Sequence, residues 1–253
     1  MLVNPIYGAS GSSPTPPSTV LPEMRGVKYF YDLTNISAGG DIEVPNTLEK
    51  VEPLVLHGAT VTDNAIQLTG EANNSYGTFN ASEIATTHEA TVYIVYKTIN
   101  LGTRPAILTV WSTNSSSAQD VQIRDQSSND YFVPTIRNGA YDGSLSSNDI
   151  ETKTQFVAVV LQRLTSNNRH WFYIKGIANV NSCDVIPISK KGEYGFTMGE
   201  ASGKISLMSE NVNLADCTAN VRVIAVADAY HNTNEIIRNL GYLSQHYIEA
   251  YNM

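Results

Sequence analysis

Phe156-Val157-Ala158-Val159-Val160-Leu161 runs into Ser166-Asn167-Asn168 and returns as His170-Trp171-Phe172-Tyr173-Ile174, ending at Gly176. Two runs of β-branched and aromatic residues flank a turn made of residues that tolerate positive φ, which is the pattern of a β-hairpin. Thr91-Val92-Tyr93-Ile94-Val95-Tyr96-Lys97-Thr98 is apolar at successive positions, as in a central strand covered on both faces. Shorter strand patterns surround these two. They are Val27–Leu33, Ala65–Leu68 before a Gly/Asn turn at 70–74, Ala106–Trp111, Val121–Arg124, Lys204–Met208 and Val221–Ala227. Tyr131–Arg137 contains Pro134, which points to an edge strand or a bulge.

Near the C-terminus the period changes. Ile236, Leu240, Leu243, Tyr247 and Tyr251 share one face of a helix expected over 233–251, and Asn232 with Glu235 three residues on resembles a capping arrangement. The fold class that follows is all-β: an antiparallel two-sheet β-sandwich of jelly-roll type, with an extended N-terminal arm and one C-terminal α-helix. Its 253 residues are compatible with one β-sandwich domain, assigned to 25–253.

Residues 1–24 have another character. The stretch around Gly8–Ser18 is Ser/Pro-rich and without periodicity. Fixing 24 residues costs on the order of 25–50 kcal/mol of backbone entropy, so such an arm orders only against a surface. We expect Pro5, Tyr7, Pro14, Pro16, Pro17 and Leu21 to dock on a neighbouring subunit of an assembly; packing on its own domain is the alternative.

Charged residues make up only 16% of the chain and the net charge is −8. Lys190–Lys191 is the only adjacent basic pair, which argues against a phosphate-tracking groove and hence against nucleic acid. No run is long enough to span a membrane, and Met1-Leu2-Val3-Asn4-Pro5 does not read as a signal peptide. The expected location is a cytoplasm, or a virus particle assembled there, so the sequons at Asn35, Asn73, Asn80 and Asn114 read as products of an Asn/Ser-rich composition. Cys183 and Cys217 are two small buried residues or one bridge between neighbouring strands.

A sandwich glucanase needs two carboxyl groups about 5–5.5 Å or about 6.5–9.5 Å apart. Acidic residues two apart on a strand approach that spacing, and two such pairs exist: Asp41-Ile42-Glu43 and Asp149-Ile150-Glu151. Neither has a third carboxylate, and both read as solvated faces. An atypical glycoside hydrolase resting on Glu43 or Glu151 is the lesser alternative. The five histidines show no metal-helix spacing. No cofactor motif is present. The oxygen-rich segments that carry Asp125, Asp130, Asp142 and Asp149 read as turns, with calcium binding as the lesser alternative.

Glycan recognition asks for aromatic rings beside amide and carboxylate groups. Trp111 with Asn114, Tyr131 with Asn129 and Asp130, and Tyr141 with Asn138 and Asp142 meet that description, each aromatic having a core or rim role as its alternative.

From Tyr29-Phe30-Tyr31-Asp32-Leu33, through Ala65–Gly70, Ala90–Lys97 and the 156–176 hairpin, to Ala225-Val226-Ala227-Asp228 and Asn234–Leu240, the order of elements resembles the concanavalin A-like lectin/glucanase superfamily, in particular its laminin-G-like and pentraxin-like branch. The resemblance covers about residues 27 to 251 and lies in order and spacing rather than in any one motif. It implies a jelly roll of the kind carried by secreted enzymes, adhesins and tailed-bacteriophage particles. The Ser/Pro arm and low charge look most like the phage group, and the superfamily's Glu-x-Asp-x-Glu type run is missing. The expectation is therefore a virion protein without enzymatic activity, anchored to other virion subunits by its arm, with host-surface glycan as a second partner. A carbohydrate-binding module for bacterial surface glycans is the alternative.

Overall fold

A computed structural model describes residues 24–48, 52–62, 64–81, 89–101, 106–111, 120–126, 131–136, 145–146, 155–163, 168–176, 184–187, 204–208 and 217–248. The arm at 1–23 and Cys183 lie outside them. In chain order the strands are β1 (Val27–Asp32), β2 (Gly40–Val44), β3 (Leu54–Thr62), β4 (Ala65–Leu68), β5 (Tyr76–Asn80), β6 (Glu89–Leu101), β7 (Ala106–Trp111) and β8 (Asp120–Gln126). They continue as β9 (Tyr131–Ile136), β10 (Leu145–Ser146), β11 (Gln155–Arg163), β12 (Asn168–Gly176), β13 (Asp184–Pro187), β14 (Lys204–Leu207) and β15 (Cys217–Ala227), followed by α1 (Thr233–Ile248).

The described strands form a curled antiparallel sheet with a single C-terminal helix. Along it run β10-β9-β8-β7-β14-β5-β3-β4-β15-β6-β11-β12-β13, with β1 added beside β15 and β2 beside β3. β3 makes the turn between two limbs. Its first half pairs with β2 and β5, and its last residues, Thr60–Thr62, pair with β4. Gly58 sits between those halves at φ 51, a left-handed conformation that a residue with a Cβ adopts only under strain.

Alternation explains the packing. Leu54 and Leu56 of β3, Phe79 of β5, Leu108 of β7 and Ile205 and Leu207 of β14 point to one side. They meet Tyr29 and Tyr31 of β1, Val92, Ile94 and Tyr96 of β6, and Ile224 and Val226 of β15. The Tyr31 ring meets Phe79 edge-on at 4.9 Å between centroids, so the two limbs touch directly.

The opposite face of β6 and β15 lies under α1. Tyr93, Val95, Val223 and Ala225 form a second cluster with Ile236, Leu240, Leu243 and Tyr247. That is why Thr91–Tyr96 is buried at every position: alternate residues serve two different apolar layers. The hairpin forms as its pattern implies, with Arg163 opposite Asn168. Pro134 sits on β9, beyond the two residues, Tyr131 and Phe132, that pair with the short β10.

Both ends of α1 are tied down. Asn232 Oδ1 accepts from the backbone N–H groups of Asn234 (3.0 Å) and Glu235 (3.1 Å), while Glu235 Oε2 accepts from the Asn232 N–H at 2.8 Å, a reciprocal capping box. At the far end, the buried Arg222 is the extra residue where the β15–β6 register shifts. Its Nη1 donates to the Tyr247 carbonyl at 3.3 Å, placing a cation against the negative end of the helix dipole.

A candidate glycan-binding face

The limb of β2, β3 and β5 is apolar towards the core and polar away from it. Inward residues Val44, Leu54, Leu56, Gly77 and Phe79 are buried, whereas Asp41, Glu43 and Asn80 are exposed and His57, Tyr76 and Thr78 are half-buried. Register brings the outward residues together: His57 stands opposite Tyr76, Val55 opposite Thr78, and Glu43 opposite Val55. The His57 and Tyr76 rings lie 4.6 Å apart between centroids, tilted by 31°. Asp41 occupies a register shift in β2, where its Oδ1 accepts from the Gly58 N–H at 2.9 Å and stands 3.7 Å from His57 Nδ1.

The turn after β4 closes on the same corner. Glu71–Asn73 form a single 3-10 turn between Gly70 and Ser75, and Asn74 has φ 54. The Asn74 carbonyl approaches Gly58 so closely that a Cβ there would lie 2.3 Å from its oxygen. Backbone contact therefore fixes the turn at Asn74 against β3 next in chain to His57. The corner presents an aromatic surface, carboxylates and primary amides on a rigid sheet, a set suited to hydroxyl-rich ligands.

From Thr78 the register continues through Ser206 of β14 and Thr109 of β7, both fully buried, so the exposed polar face does not extend along this row. Trp111 and Tyr131 belong to this limb as strand positions: Trp111 ends β7 opposite Asp120, and Tyr131 opens β9 opposite Gln126. Asp125 lies within β8 opposite Phe132, so the segment read as an oxygen-rich loop begins on a strand. Asn114, Asn129, Asp130, Asn138, Tyr141, Asp142, Asp149 and Glu151 lie outside the described residues, as does the arm with Pro5, Tyr7, Pro14, Pro16, Pro17 and Leu21.

Asp41, His57 and Tyr76 were not legible as a site. Asp41 stands out in sequence only as a carboxylate near Glu43, His57 reads as an isolated histidine, and Tyr76 lies in a stretch with no strand expectation. Among the described residues, no group of three or more His, Cys, Asp or Glu side chains could hold a metal ion. No helix among them is long and apolar enough to cross a membrane.

A second polar cluster lies on the other side of the molecule, under α1. The Tyr93 hydroxyl is 2.6 Å from His231 Nδ1, His231 Nε2 is 2.7 Å from the Arg25 carbonyl, and Asn239 Nδ2 donates to the Tyr93 hydroxyl at 3.0 Å. The Arg25 guanidinium binds both Glu235 carboxylate oxygens, at 2.9 and 3.3 Å, and the Tyr230 carbonyl. With His231, Tyr93 and Asn239 almost wholly buried, this cluster is a structural clasp rather than a surface for a ligand.

No family model matches the chain, and no curated protein matches it in sequence. Solved structures do share its fold. Trypanosoma rangeli sialidase in complex with sialic acid has a TM-score of 0.61 at 13% identity, over 88% of this chain and 33% of that one. A mutant of that sialidase displaying trans-sialidase activity gives the same figures, TM-score 0.61 at 13% identity over 88% and 33%. The binding domain of botulinum neurotoxin DC, in complex with rat synaptotagmin II, has a TM-score of 0.56 at 13% identity, over 86% of this chain and 52% of that one. The chain thus spans about a third of the sialidase and about half of the toxin fragment.

At this identity the likeness shows the fold alone, and it lends no support to a concanavalin A-like relationship or to a phage particle. It does correct one expectation. The absence of enzymatic activity was inferred from missing motifs of a different superfamily, whereas the structures that share this fold include sialidases, so that inference does not hold.

Proposed function

We propose that this chain binds glycans on the polar face of the β2–β3–β5 limb, with Tyr76 as the stacking surface and Asp41, Glu43, Thr78 and Asn80 as hydrogen-bonding groups. The observation that carries the reading is the aromatic pair His57–Tyr76, presented half-buried beside an exposed carboxylate already oriented by a backbone N–H. An aromatic ring offers its negative face to the C–H edge of a sugar, and an oriented carboxylate accepts strong hydrogen bonds from hydroxyl groups. In the finer form of this reading the curled sheet is a two-layer jelly roll and the site lies on its outer surface. The complex of the fold-sharing sialidase with sialic acid supports carbohydrate as the ligand class.

A glycan array probed with the whole chain, with and without calcium, tests this. Binding that falls at least tenfold in Tyr76→Ala is the expected result; an empty array, or binding indifferent to Tyr76→Ala, would overturn it.

Attachment to a larger assembly through residues 1–24 is a second reading. It is supported by Arg25, the residue next after the arm, being fixed to Glu235 and Tyr230 beside α1, on the side of the molecule away from the proposed face. An arm leaving there would hold the chain to a virion or other scaffold with the glycan face outward. Deleting residues 1–24 should leave a folded domain that no longer joins the particle, and assembly by the truncated chain would refute this.

A further inference from the structure

We infer that the β2–β3–β5 face selects uncharged, hydroxyl-rich sugars and discriminates against sialic acid, a conclusion that rests on the glycan-binding reading and narrows it. The aromatic pair His57–Tyr76 defines where a sugar ring would stack. Beside that point stand two exposed carboxylates, Asp41 and Glu43. Asp41 contacts His57 directly. Glu43 lies two residues along β2 from Asp41, or roughly 7 Å of strand.

A neutral sugar seated on Tyr76 would offer hydroxyl hydrogens to these carboxylates, and each such bond is charge-assisted. The carboxylate of a sialic acid has no hydrogen to donate at neutral pH and would meet the like charges of Asp41 and Glu43. Sharing a fold with a sialidase therefore does not carry over its ligand, because these two carboxylates would oppose that group.

The test compares lactose with sialyllactose by titration calorimetry against the full chain, at about 20 mM and about 300 mM salt. Lactose should bind about tenfold more tightly at low salt, with the gap shrinking as salt screens the repulsion. The double variant Asp41→Asn, Glu43→Gln should narrow the gap from both sides, weakening lactose and strengthening sialyllactose. Equal or tighter binding of sialyllactose, still dependent on Tyr76, would overturn this inference and leave the glycan-binding reading intact. Binding of neither sugar, together with an empty array, would overturn both.

Discussion

The hydroxyl of Tyr93 stands 2.6 Å from Nδ1 of His231, buried between α1 and the sheet, and this pairing fixes the imidazole in its neutral form. Nε2 faces the Arg25 carbonyl and must donate, so Nδ1 is the acceptor of the Tyr93 proton. The hydroxyl in turn accepts from Asn239, so a proton on Nδ1 would leave the Tyr93 hydrogen without its acceptor. Burial is the main force holding the His231 pKa below its ordinary value; the Arg25 carbonyl and Glu235 oppose it, and the nearby Arg25 and Arg238 cations add to it.

The sign of the resulting pH dependence follows. Unfolded His231 takes up a proton near pH 6.5, whereas the folded chain resists until a lower pH. Below about 6.5 the unfolded state binds more protons, so stability falls as pH falls through that window and its full value is kept above it. Urea unfolding at pH 7.5, 6.5 and 5.5 should show a declining midpoint. His231→Gln should be less stable at pH 7.5 and flatter across the range. A wild-type midpoint that does not move would count against the buried neutral imidazole.

The helix cap titrates in a separate window. Arg25 and the Asn232 N–H hold the Glu235 carboxyl down to about 2, so its contribution is complete above about 4.5 and is lost as pH falls from there to about 2. Asn232→Ala should cost about 1 kcal/mol at neutral pH through loss of the cap. Arg25→Ala should cost under about 1 kcal/mol, because the guanidinium is 57% exposed and its pair is screened by water. Thermal melts at two salt concentrations separate the variants: the Arg25 effect shrinks with salt and the Asn232 effect does not.

The two faces of α1 predict opposite outcomes for similar substitutions. Leu243 is fully buried against the sheet, so Leu243→Ala should destabilise by about 2–5 kcal/mol. Ile237 is among the exposed large hydrophobics, and Ile237→Ala should fall within about 0.5 kcal/mol of wild type. Denaturant midpoints of the pair check the assigned orientation of the helix.

Gly58→Ala couples the fold to the proposed site. The substitution forces a Cβ into a left-handed backbone and to within 2.3 Å of the Asn74 carbonyl, so the 70–75 turn must move away from β3. We expect more than about 1 kcal/mol of destabilisation and weaker glycan binding than in wild type at a temperature where both are folded. Unchanged binding in a destabilised variant would separate the turn from the site.

Regular local patterns were legible in the chain. The 156–176 hairpin, the doubly buried Thr91–Tyr96 run and the capping box at Asn232–Glu235 each carry their signal within a few residues, and each formed. β2, β3, β5 and β13 did not announce themselves. β3 has Gly58 at its centre, where it changes limb, and a bend of that kind erases the alternation by which strands are recognised. The site was hidden for a related reason. Asp41, His57 and Tyr76 sit on three strands and meet only through register, which is settled by non-local pairing rather than by neighbouring residues. A search for aromatics beside amides in sequence reaches Trp111, Tyr131 and Tyr141, whose neighbours in the chain carry the signal.

One strand, β6, forms a wall common to two oily compartments, with Val92, Ile94 and Tyr96 serving one and Tyr93 and Val95 the other. If α1 peeled away, it would wet the back of the strand that supports everything in front. Helix and curled sheet are thus expected to melt together in a single transition, and α1 has little scope to detach while the rest stays intact.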